Sequence, residues 1–390
     1  MDIIRKNESN LSLKTLNYKK ELSMRNKLCI MSITASHYRK RIYELLDSAF
    51  DCRFIFGVDN TSVKRLDTSI LKDSINNQNI YIYGTPFYYQ KNILSQTSNW
   101  QVIINDLGIF CLSGWVLMIL AKLRKQRVFL WDHGWYGREG FVKKWIKRAY
   151  FGLADGSFIY GEYAKKLMEK NGFSKDKLHV IHNSLDYDTQ LSIRKTIAKT
   201  SLYKDYFKNE NPVICFIGRL TPVKKLNLLV SALHILAENG KSFNLVIIGD
   251  GEERKNIETL VSSLQLKENV WLYGPCYDEN TNASLIYNAD VCVSPGNVGL
   301  TAMHAMMFGC PVITHNDLPW QMPEFEAIKQ GKTGDFFNHG DVMSLADCIA
   351  RWFQTYGESR EEIRHQCFKE IDEEWNPHRQ LEIIKSVIYE

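Results

Sequence analysis

The chain has 390 residues, of which 45% are hydrophobic and 24% charged, and its net charge is +5 at pH 7. This composition is typical of a soluble globular protein, and the length allows two domains of ordinary size. The longest apolar run, residues 107–121, is too short to cross a bilayer. It therefore excludes a membrane span there and predicts a buried helix.

Nine cysteines are scattered along the chain, without a Cys-x-x-Cys pair or the spacing of a metal site. Cys29, Cys215, Cys292 and Cys310 fall within or beside apolar runs, so we expect them to be small buried side chains. This cysteine usage and the lack of a visible signal peptide predict a cytoplasmic protein. The polar, lysine-rich residues 1–23 are predicted to form an extension ahead of the first domain.

Between residues 24 and 190, short apolar runs alternate with helical stretches, the first of which is expected to begin near His37. The predicted strands are Lys27–Ile33, Asp51–Gly57, Gln101–Ile104, Arg127–Trp131, Gly156–Tyr160 and Leu178–Ile181. Runs of this kind favour a parallel sheet with crossover helices. Residues 24–190 are thus predicted to form a first α/β domain.

The polar segment 191–210 interrupts this pattern and is predicted to be a linker. A second series follows in residues 211–372, with a helix predicted over Glu252–Leu266. Its predicted strands are Val213–Ile217, Leu245–Ile248, Val270–Tyr273, Val291–Val293 and Pro311–Thr314. The repeat of about thirty residues is that of a βαβ unit. We therefore predict two doubly wound, Rossmann-like domains that face each other across a cleft.

Two cations follow the first strand of the second domain. Arg219 comes directly after the glycine that ends the strand, and Lys224 lies five residues later in the turn before the next helix. Open α/β sheets bind nucleotides at the carboxyl ends of their strands. Because guanidinium and ammonium groups form charge-assisted hydrogen bonds to phosphate, the pair suits a diphosphate.

A second signal of the same kind follows the strand at 291–293. Gly296 and Gly299 permit a tight turn, and a helix is predicted to begin near Gly299. The start of such a helix presents free N–H groups to an anion. A Gly-x-x-Gly pattern alone is weak evidence, but here it stands in the same domain as the two cations.

An ordered set of motifs in the second domain resembles the family 4 retaining glycosyltransferases, which have the GT-B fold. The set comprises the Gly-Arg-Leu turn with its lysine, Gly249-Asp250-Gly251, the helix ending at Gly309-Cys310-Pro311-Val312-Ile313, Pro323-Glu324 and Gly331-Lys332-Thr333-Gly334-Asp335. It covers nearly all of residues 211–350. In the first domain, residues 180–186 resemble the family's Ile-x-Asn-Gly-Val-Asp segment.

This resemblance implies a reaction and a set of site residues. Arg219 and Lys224 would bind the diphosphate of a nucleotide-sugar donor and stabilise the leaving nucleotide, while Tyr273 and Gly274 would lie near the base. The implied donor-binding residues are Gly218, Tyr273, Gly274, Asn297, Gly299, Leu300, Thr301 and His304. Residues 373–390 would return to the first domain and form part of a hinge.

The sequence departs from the family at its Glu-x7-Glu signature. Gly296 stands at the first position and His304 at the second. Histidine can accept a hydrogen bond from a ribose hydroxyl through an unprotonated nitrogen, whereas glycine offers no group to the donor sugar. Asn297 is the neighbour that could substitute, so the donor sugar does not follow from the family pattern.

The first domain supplies His133, which the resemblance implies to be catalytic with Arg219 and Lys224, and the acceptor-side candidates His37, Arg39 and Glu139. His133 and Glu139 belong to a loop, residues 131–140, which is rich in glycine and aromatic residues. By resemblance His133 faces the donor sugar; Glu139 suits an acceptor hydroxyl or a surface ion pair with Lys143. His37 and Arg39 follow the first strand, where Arg39 suits either an acceptor phosphate or a solvated helix face.

Residues 121–150 carry nine basic and only two acidic residues, with Trp131, Trp135, Phe141 and Trp145 interleaved. Basic and aromatic residues together are typical of proteins that lie on an anionic membrane surface. A nucleic-acid patch and a solvated face without a partner are the alternatives. Because no known nucleic-acid-binding module accompanies the patch, we expect no nucleic-acid partner.

Together these features predict a retaining glycosyltransferase that builds surface polysaccharide, working without cofactor or metal at the cytoplasmic face of a membrane. Its substrates would be a nucleotide sugar and a glycan or lipid-linked glycan. Catalysis would be mainly electrostatic, with the family's same-face displacement. A degenerate nucleotide-sugar-binding protein and a GT-B sugar-nucleotide epimerase are the alternative functions.

Overall fold

The computed structural model describes residues 27–58 and 64–389. The predicted extension, residues 1–23, lies outside this part of the chain. The described residues form two α/β domains, each built around its own sheet, so the prediction of two doubly wound domains is confirmed.

The N-terminal sheet has eight strands in the order β4-β3-β2-β1-β5-β6-β7-β8, and all neighbours are parallel except β3 and β4. The strands are β1 (Lys27–Ser32), β2 (Asp51–Val58), β3 (Ser74–Tyr81), β4 (Tyr88–Gln90), β5 (Val102–Asp106), β6 (Arg127–Asp132), β7 (Gly156–Ile159) and β8 (Leu178–Val180). Both faces of the sheet are covered. In β1, for example, Leu28 and Ile30 join one apolar cluster, while Cys29 and Met31 join the other. Burial on both faces explains why these strands are continuous apolar runs.

Five helices of this domain lie between its strands along the chain. They are α1 (Lys40–Ala49), α2 (Ile93–Gln96), α3 (Leu112–Leu123), α4 (Phe141–Gly152) and α5 (Glu162–Lys170). Helix α6 (Tyr187–Arg194) follows β8, and its Leu191 and Ile193 pack against the core of the C-terminal domain. The predicted buried helix at 107–121 corresponds to α3, which begins five residues later and buries one face only. A short 3-10 turn, His37–Arg39, precedes α1.

The C-terminal sheet has six parallel strands in the order β11-β10-β9-β12-β13-β14. They are β9 (Val213–Ile217), β10 (Asn244–Ile248), β11 (Val270–Gly274), β12 (Val291–Ser294), β13 (Val312–His315) and β14 (Gly334–Phe337). The helices are α7 (Leu202–Phe207), α8 (Leu226–Glu238), α9 (Arg254–Ser263), α10 (Glu279–Asn288), α11 (Leu300–Met307), α12 (Val342–Tyr356), α13 (Arg360–Glu373) and α14 (Pro377–Tyr389).

Three strands were not predicted. Strand β3 is rich in Asn and Gln, which are uncommon in strands, and β4 is a three-residue strand at the edge of the sheet. Strand β14 is only four residues long and begins with glycine.

The expected linker, residues 191–210, is also partly helical. Tyr203 and Phe207 on α7 pack into the core of the C-terminal domain, so α7 is a part of that domain.

The last helix, α14, packs against α1 of the N-terminal domain. Its Ile384 and Ile388 are buried in the apolar cluster of that domain. Arg127 at the start of β6 donates to the carbonyls of Val387 and Ile388, at 2.9 and 2.8 Å. These bonds satisfy carbonyl groups at the end of the helix that have no partner within it. The chain therefore crosses back to the first domain.

The domains also meet near the cleft through two carboxylates of residues 323–327. Glu326 accepts hydrogen bonds from the backbone N–H groups of Glu162 and Tyr163, both at 2.7 Å, and so caps helix α5 of the other domain. Glu324 accepts a bond of 2.8 Å from the side-chain amide of Asn183. These contacts fix how the two sheets face each other.

Candidate functional site

The strand order places a crevice between β9 and β12. From β9 the chain proceeds outward to β10 and β11, then returns to the other side of β9 as β12. Loops at the carboxyl ends of β9 and β12 therefore diverge, and ligands of doubly wound sheets bind at such a point. Gly218 and Arg219 follow β9, while the loop 295–299 follows β12, so the two predicted phosphate signals meet here.

Arg219 is exposed beside the crevice. Among the residues that the structure describes, it forms no ion pair or side-chain hydrogen bond. Its guanidinium group is therefore available to an anion entering from solvent.

Lys224, in contrast, is anchored to the opposite loop. Its Nζ donates to the backbone oxygen of Asn297 at 2.7 Å, to Oδ1 of the same residue at 3.1 Å and to the carbonyl of Val298 at 3.4 Å. Within the described part of the chain, no carboxylate lies within ion-pair distance of this Nζ. Burial lowers the pKa of Lys224 to about 8, and the neighbouring Arg219 adds to this effect while Glu324 opposes it. The crevice thus holds an ammonium group without a direct counter-ion.

Helix α11 begins beside this ammonium group. Gly299 precedes the helix with a φ of 54°, and a Cβ placed on it would lie 3.8 Å from Lys224 Nζ. The first N–H groups of a helix have no partner within it, so the backbone of Leu300 and Thr301 adds donors to the cationic site. The Thr301 side chain is not available, because its hydroxyl donates to the carbonyl of Ile217 at 2.8 Å.

The structure explains the glycine at the first signature position. A Cβ on Gly296 would lie 1.8 Å from the carbonyl oxygen of Val223, so no larger residue fits this backbone. The suggested substitute, Asn297, already uses its Oδ1 to accept from Lys224. The turn at 222–224 therefore occupies the space next to residue 296.

A cavity of about 240 Å³ opens at the same edge of the sheet, beyond Arg219. It is lined by Ile217, Gly218, Arg219, Ile248, Gly249, Asp250, Pro275, Cys276 and Tyr277. The predicted base neighbours Tyr273 and Gly274 end strand β11 but do not line it; the Tyr273 ring packs against Trp271, with centroids 5.1 Å apart. The next three residues line the cavity instead, and Tyr277 among them is 87% exposed. Sequence reasoning placed the correct strand end but missed these residues.

His304, at the second signature position, forms a pair with Glu279 on α10. Its Nε2 lies 2.8 Å from Glu279 Oε1, which also accepts from the Gln190 side-chain amide at 2.8 Å. Burial tends to raise the pKa of Glu279, but the hydrogen bonds from His304 and Gln190 outweigh it and lower the pKa. A carboxylate that the sequence did not single out thus stands beside His304.

His133 lies where the two domains meet. With Tyr136 it lines a small cavity whose other wall includes Gln321 and Pro323 from the C-terminal domain. Its Nδ1 is buried and has no hydrogen-bond partner within the described ranges 27–58 and 64–389. Burial lowers the pKa of His133 to about 4, and the charge of Arg39 acts in the same direction. The imidazole is therefore neutral at pH 7.

Glu139 stabilises its own loop. Its carboxylate accepts from the backbone N–H groups of Tyr136 and Gly137 at 2.8 and 2.9 Å, and from Lys147 Nζ at 3.0 Å. The expected surface pair with Lys143 was wrong, because the loop turns the carboxylate inward toward Lys147. With its oxygens engaged and its side chain buried, Glu139 holds the backbone next to His133 in place.

Of the two candidates after β1, only His37 is exposed. Arg39 is buried: it forms an ion pair with Asp106, donates to the Tyr160 hydroxyl and lies 5.0 Å from the Trp131 ring centroid. Arg39 was expected either to bind an acceptor phosphate or to lie on a solvated helix face, and both expectations assumed an exposed side chain. Its guanidinium instead joins the carboxyl ends of β5 and β7, through Asp106 and Tyr160.

Two further side chains near the site were missed. Gln321 is buried, accepts from the Val298 backbone N–H at 2.9 Å and donates to the Thr314 hydroxyl at 2.8 Å. It thereby fixes the loop before α11. Glu324 is buried as well, and its Oε2 has no hydrogen-bond partner in the described part of the chain. Burial raises the pKa of Glu324, although its bond from Asn183 opposes the shift.

The basic and aromatic segment 121–150 does not form one surface. Trp131, Trp135 and Lys147 are buried, and Arg127 is bonded to α14. Arg138 lies in the loop before α4, over the Trp320 ring. The remaining residues lie on or directly after α3, or on α4, and the two helices touch through the Trp115 and Tyr150 rings. Exposed apolar side chains of the two helices are Leu112, Val116, Ile119, Leu123, Phe141, Val142, Trp145 and Ile146. Exposed basic residues nearby are Lys122, Arg124, Lys125, Lys143 and Arg148. We call this set the α3–α4 surface.

The described residues contain no helix long and apolar enough to cross a membrane. They also contain no group of three or more His, Cys, Asp or Glu side chains arranged to hold a metal ion.

Comparison with known proteins finds a family match in the C-terminal half. Residues 200–369 match the family described as glycosyl transferases group 1. The chain is 27% identical over 220 residues to an uncharacterized 41.2 kDa protein in the cps region of Klebsiella pneumoniae, covering 53% of this chain and 56% of that protein. It is 28% identical over 152 residues to the amylovoran biosynthesis glycosyltransferase AmsK of Erwinia amylovora, covering 36% of each chain. The chain spans about half the length, or less, of the curated relatives it matches.

Solved structures are similar over almost the whole chain. The crystal structure of Anabaena HepE in complex with UDP superimposes with a TM-score of 0.71 and 15% sequence identity, covering 93% of this chain and 99% of that one. At this identity the likeness concerns the fold alone. Residues 200–369 thus match a family of glycosyltransferases, and the chain has the predicted GT-B fold.

Proposed function

We propose that this protein is a retaining glycosyltransferase of the family 4 type, which moves a sugar from a nucleoside-diphosphate donor to a glycan or lipid-linked glycan. The observation that carries the proposal is the juxtaposition of Arg219, Lys224 and the start of α11 at the carboxyl ends of β9 and β12. The two cations and the helix N-terminus bring three sources of positive potential to one crevice. A diphosphate is the ligand that this arrangement suits best.

The cavity beside Arg219 suits the nucleoside. Tyr277 offers an exposed ring to a base, and Gly218 and Gly249 keep the floor free of side chains. In two of the similar structures, Anabaena HepE is in complex with UDP and with UDP-glucose. A uridine diphosphate sugar is therefore the first donor to test.

In the proposed reaction, catalysis is mainly electrostatic. As the bond between the sugar and the diphosphate breaks, negative charge accumulates on the leaving phosphate, where Arg219 and Lys224 stabilise it. The leaving oxygen can take the proton of the acceptor hydroxyl as that hydroxyl attacks from the same face. His133, neutral and on the opposite wall, is placed to bond to a hydroxyl of the donor sugar. We predict that the reaction needs no metal, because these groups supply the positive charge.

Surface polysaccharide synthesis is the process we propose, since relatives include a protein of a cps region and an amylovoran biosynthesis glycosyltransferase. Such an acceptor would be presented at a membrane, and the α3–α4 surface suits an anionic bilayer. It combines a row of apolar side chains on α3, spaced at three or four residues, with exposed lysine and arginine. Helix α4 starts at the end of the His133 loop, so a bilayer there would adjoin the acceptor side of the cleft. We propose a cytoplasmic, peripheral membrane location.

The alternatives predict different outcomes. A degenerate binding protein would bind a nucleotide sugar but release no free nucleotide with any acceptor. An epimerase would require acidic catalysts; Glu324 and Glu326 are the buried carboxylates at the cleft, and Glu326 is already bonded to α5. The glycosyltransferase proposal is favoured because the cations, which serve a leaving diphosphate, are all present.

The test combines binding and turnover. Purified protein is screened by thermal shift against UDP-, GDP- and ADP-sugars, and nucleotide release is then measured with glycan acceptors from cell-surface extracts. Arg219→Ala is expected to lower the rate of release by about a hundredfold to a thousandfold, as for loss of one charge-stabilising donor. Lys255→Ala, an exposed lysine on α9, is the matched control and should retain full activity. An Arg219→Ala enzyme with wild-type activity would disprove the site.

The membrane surface has a separate test. Binding to phosphatidylglycerol vesicles is compared with binding to phosphatidylcholine vesicles by flotation. Since each basic residue near an anionic surface contributes roughly 1 kcal/mol, Lys143→Gln is expected to weaken binding to the anionic vesicles about fivefold. Trp145→Ala should weaken binding to both, whereas Met343→Ala, an equally exposed apolar side chain on α12, should have no effect. Equal flotation of all variants would contradict this surface.

A further inference from the structure

The pair formed by His304 and Glu279 joins the two helices that begin at the two ends of the proposed donor site. Glu279 is the first residue of α10 and follows Tyr277, which lines the nucleoside cavity, by two positions. His304 lies on α11 one turn after Leu300, at the phosphate end. In any nucleoside diphosphate the ribose connects base and diphosphate. A ligand that spans the cavity and the crevice therefore brings its ribose to this pair.

The chemistry of the pair suits a diol. Both His304 and Gln190 bond to Oε1 of Glu279, so Oε2 retains capacity to accept. A carboxylate offers acceptors only, and adjacent 2′- and 3′-hydroxyls offer two donors. Glu279 and His304 keep 29% and 17% of their side-chain surface exposed, so a ligand can reach them.

Glu279 also determines which ring nitrogen of His304 is free to accept a hydrogen bond. When His304 Nε2–H donates to the carboxylate, the neutral ring carries its free acceptor at Nδ1. Because Glu279 has a lowered pKa, it remains ionised at neutral pH and holds this tautomer. The pair thus acts as one unit, in which each member orients the other.

We infer that Glu279 supplies the ribose-binding carboxylate of this protein, with His304 as its partner; this inference rests on the proposed function. As a result, the site selects ribonucleotides over 2′-deoxyribonucleotides. The carboxylate comes from α10 rather than from α11, where the family signature places it. Glu279 is a specificity-determining residue that binds the nucleoside and takes no part in bond breaking.

The experiment measures dissociation constants by calorimetry for UDP, GDP and ADP and for their 2′-deoxy counterparts. The wild-type protein should bind the best ribonucleotide about tenfold to a hundredfold more tightly than its deoxy form, as for a hydrogen bond to a charged group. Glu279→Gln should reduce this ratio to about twofold while leaving the affinity for the deoxynucleotide unchanged. The double variant Glu279→Gln with His304→Ala should show the same ratio of deoxy- to ribonucleotide dissociation constants as Glu279→Gln alone, because the two residues act together.

The controls separate the two proposals. Glu268→Gln, an exposed glutamate before β11, should keep the wild-type ratio. If the wild-type protein binds ribo- and deoxynucleotides equally, or Glu279→Gln keeps the full ratio, the ribose inference is wrong while the glycosyltransferase proposal stands. If no nucleoside diphosphate binds the wild-type protein at all, both are wrong. The affinities for ribo- and deoxynucleotides are compared on the wild-type protein itself. Equal affinities would therefore refute the ribose inference even if the Glu279→Gln protein folded poorly.

Discussion

At the scale of single residues, the two cations of the crevice differ in what surrounds them. Arg219 is exposed and always charged, because the guanidinium pKa lies far above neutrality. Lys224 is enclosed by the carbonyls of Asn297 and Val298, and its pKa is lowered to about 8. Only Lys224 can therefore lose its charge in the working range of pH.

This difference predicts a pH dependence of donor binding. Because the folded pKa of Lys224 lies below its usual value of about 10.4, the ammonium form is progressively lost as pH rises through 8. Affinity for a nucleoside diphosphate should fall about tenfold between pH 7 and pH 9, measured by calorimetry. The second ionisation of the terminal phosphate, with a pKa of about 6, is largely over by pH 7, and what remains of it would strengthen binding rather than weaken it.

The variants assign the effect to one residue. Arg219→Ala should bind more weakly at every pH but keep the tenfold decline, whereas Lys224→Ala should bind weakly with no decline. A decline of equal size in both variants would show that another group titrates.

At the scale of elements, α14 illustrates how a distant segment completes a domain. It contributes Ile384 and Ile388 to the N-terminal core and is capped by Arg127 from β6. Arg127 belongs to the basic segment of the sequence, yet it serves the helix terminus rather than a surface. The N-terminal domain therefore depends on residues at the far end of the chain.

The packing of α14 predicts different losses of stability when two neighbouring isoleucines of this helix are truncated. Ile384→Ala should lower the free energy of unfolding by about 2–5 kcal/mol, because Ile384 is fully buried and its removal leaves a cavity. Ile383→Ala removes the same atoms from a half-buried position and should cost clearly less. Urea unfolding followed by tryptophan fluorescence measures both. Equal losses at the two positions would mean that α14 does not dock as described.

At the scale of the whole molecule, the orientation of the two domains depends on a few polar contacts. Glu326 from the C-terminal domain caps α5 of the other domain, and a Cβ on Gly161 would lie 2.4 Å from its Oε1. The glycine thus leaves room for a carboxylate from across the cleft. A cap made in trans between domains can open without breaking a helix in either domain, which suits closure around a substrate.

This contact gives a prediction for the intact protein. Glu326→Ala should lower the free energy of unfolding by about 0.5–2 kcal/mol, the usual cost of losing a helix cap. Glu169→Ala, at an exposed position near the other end of α5, should change it by less than about 0.5 kcal/mol. Urea unfolding at pH 7 distinguishes them. A Glu326→Ala protein as stable as the wild type would argue that the domains are not held together here.

The amino-acid sequence by itself determined the alternation of strands and helices, the two-domain division and the positions of Arg219, Lys224 and Gly299. These follow from local signals, since apolar periodicity and glycine placement act over a few residues. The Asn-rich strand β3, the three-residue β4 and the four-residue β14 gave too little apolar pattern to be predicted.

Only the tertiary structure decided which side chains meet. Glu279 and His304 are 25 positions apart and pair because α10 and α11 start at the same sheet edge. Glu139 pairs with Lys147 rather than with Lys143, because its loop turns inward before α4 begins. Contacts of this kind depend on how elements dock, and the docking is set by packing of the whole core rather than by neighbours in the sequence.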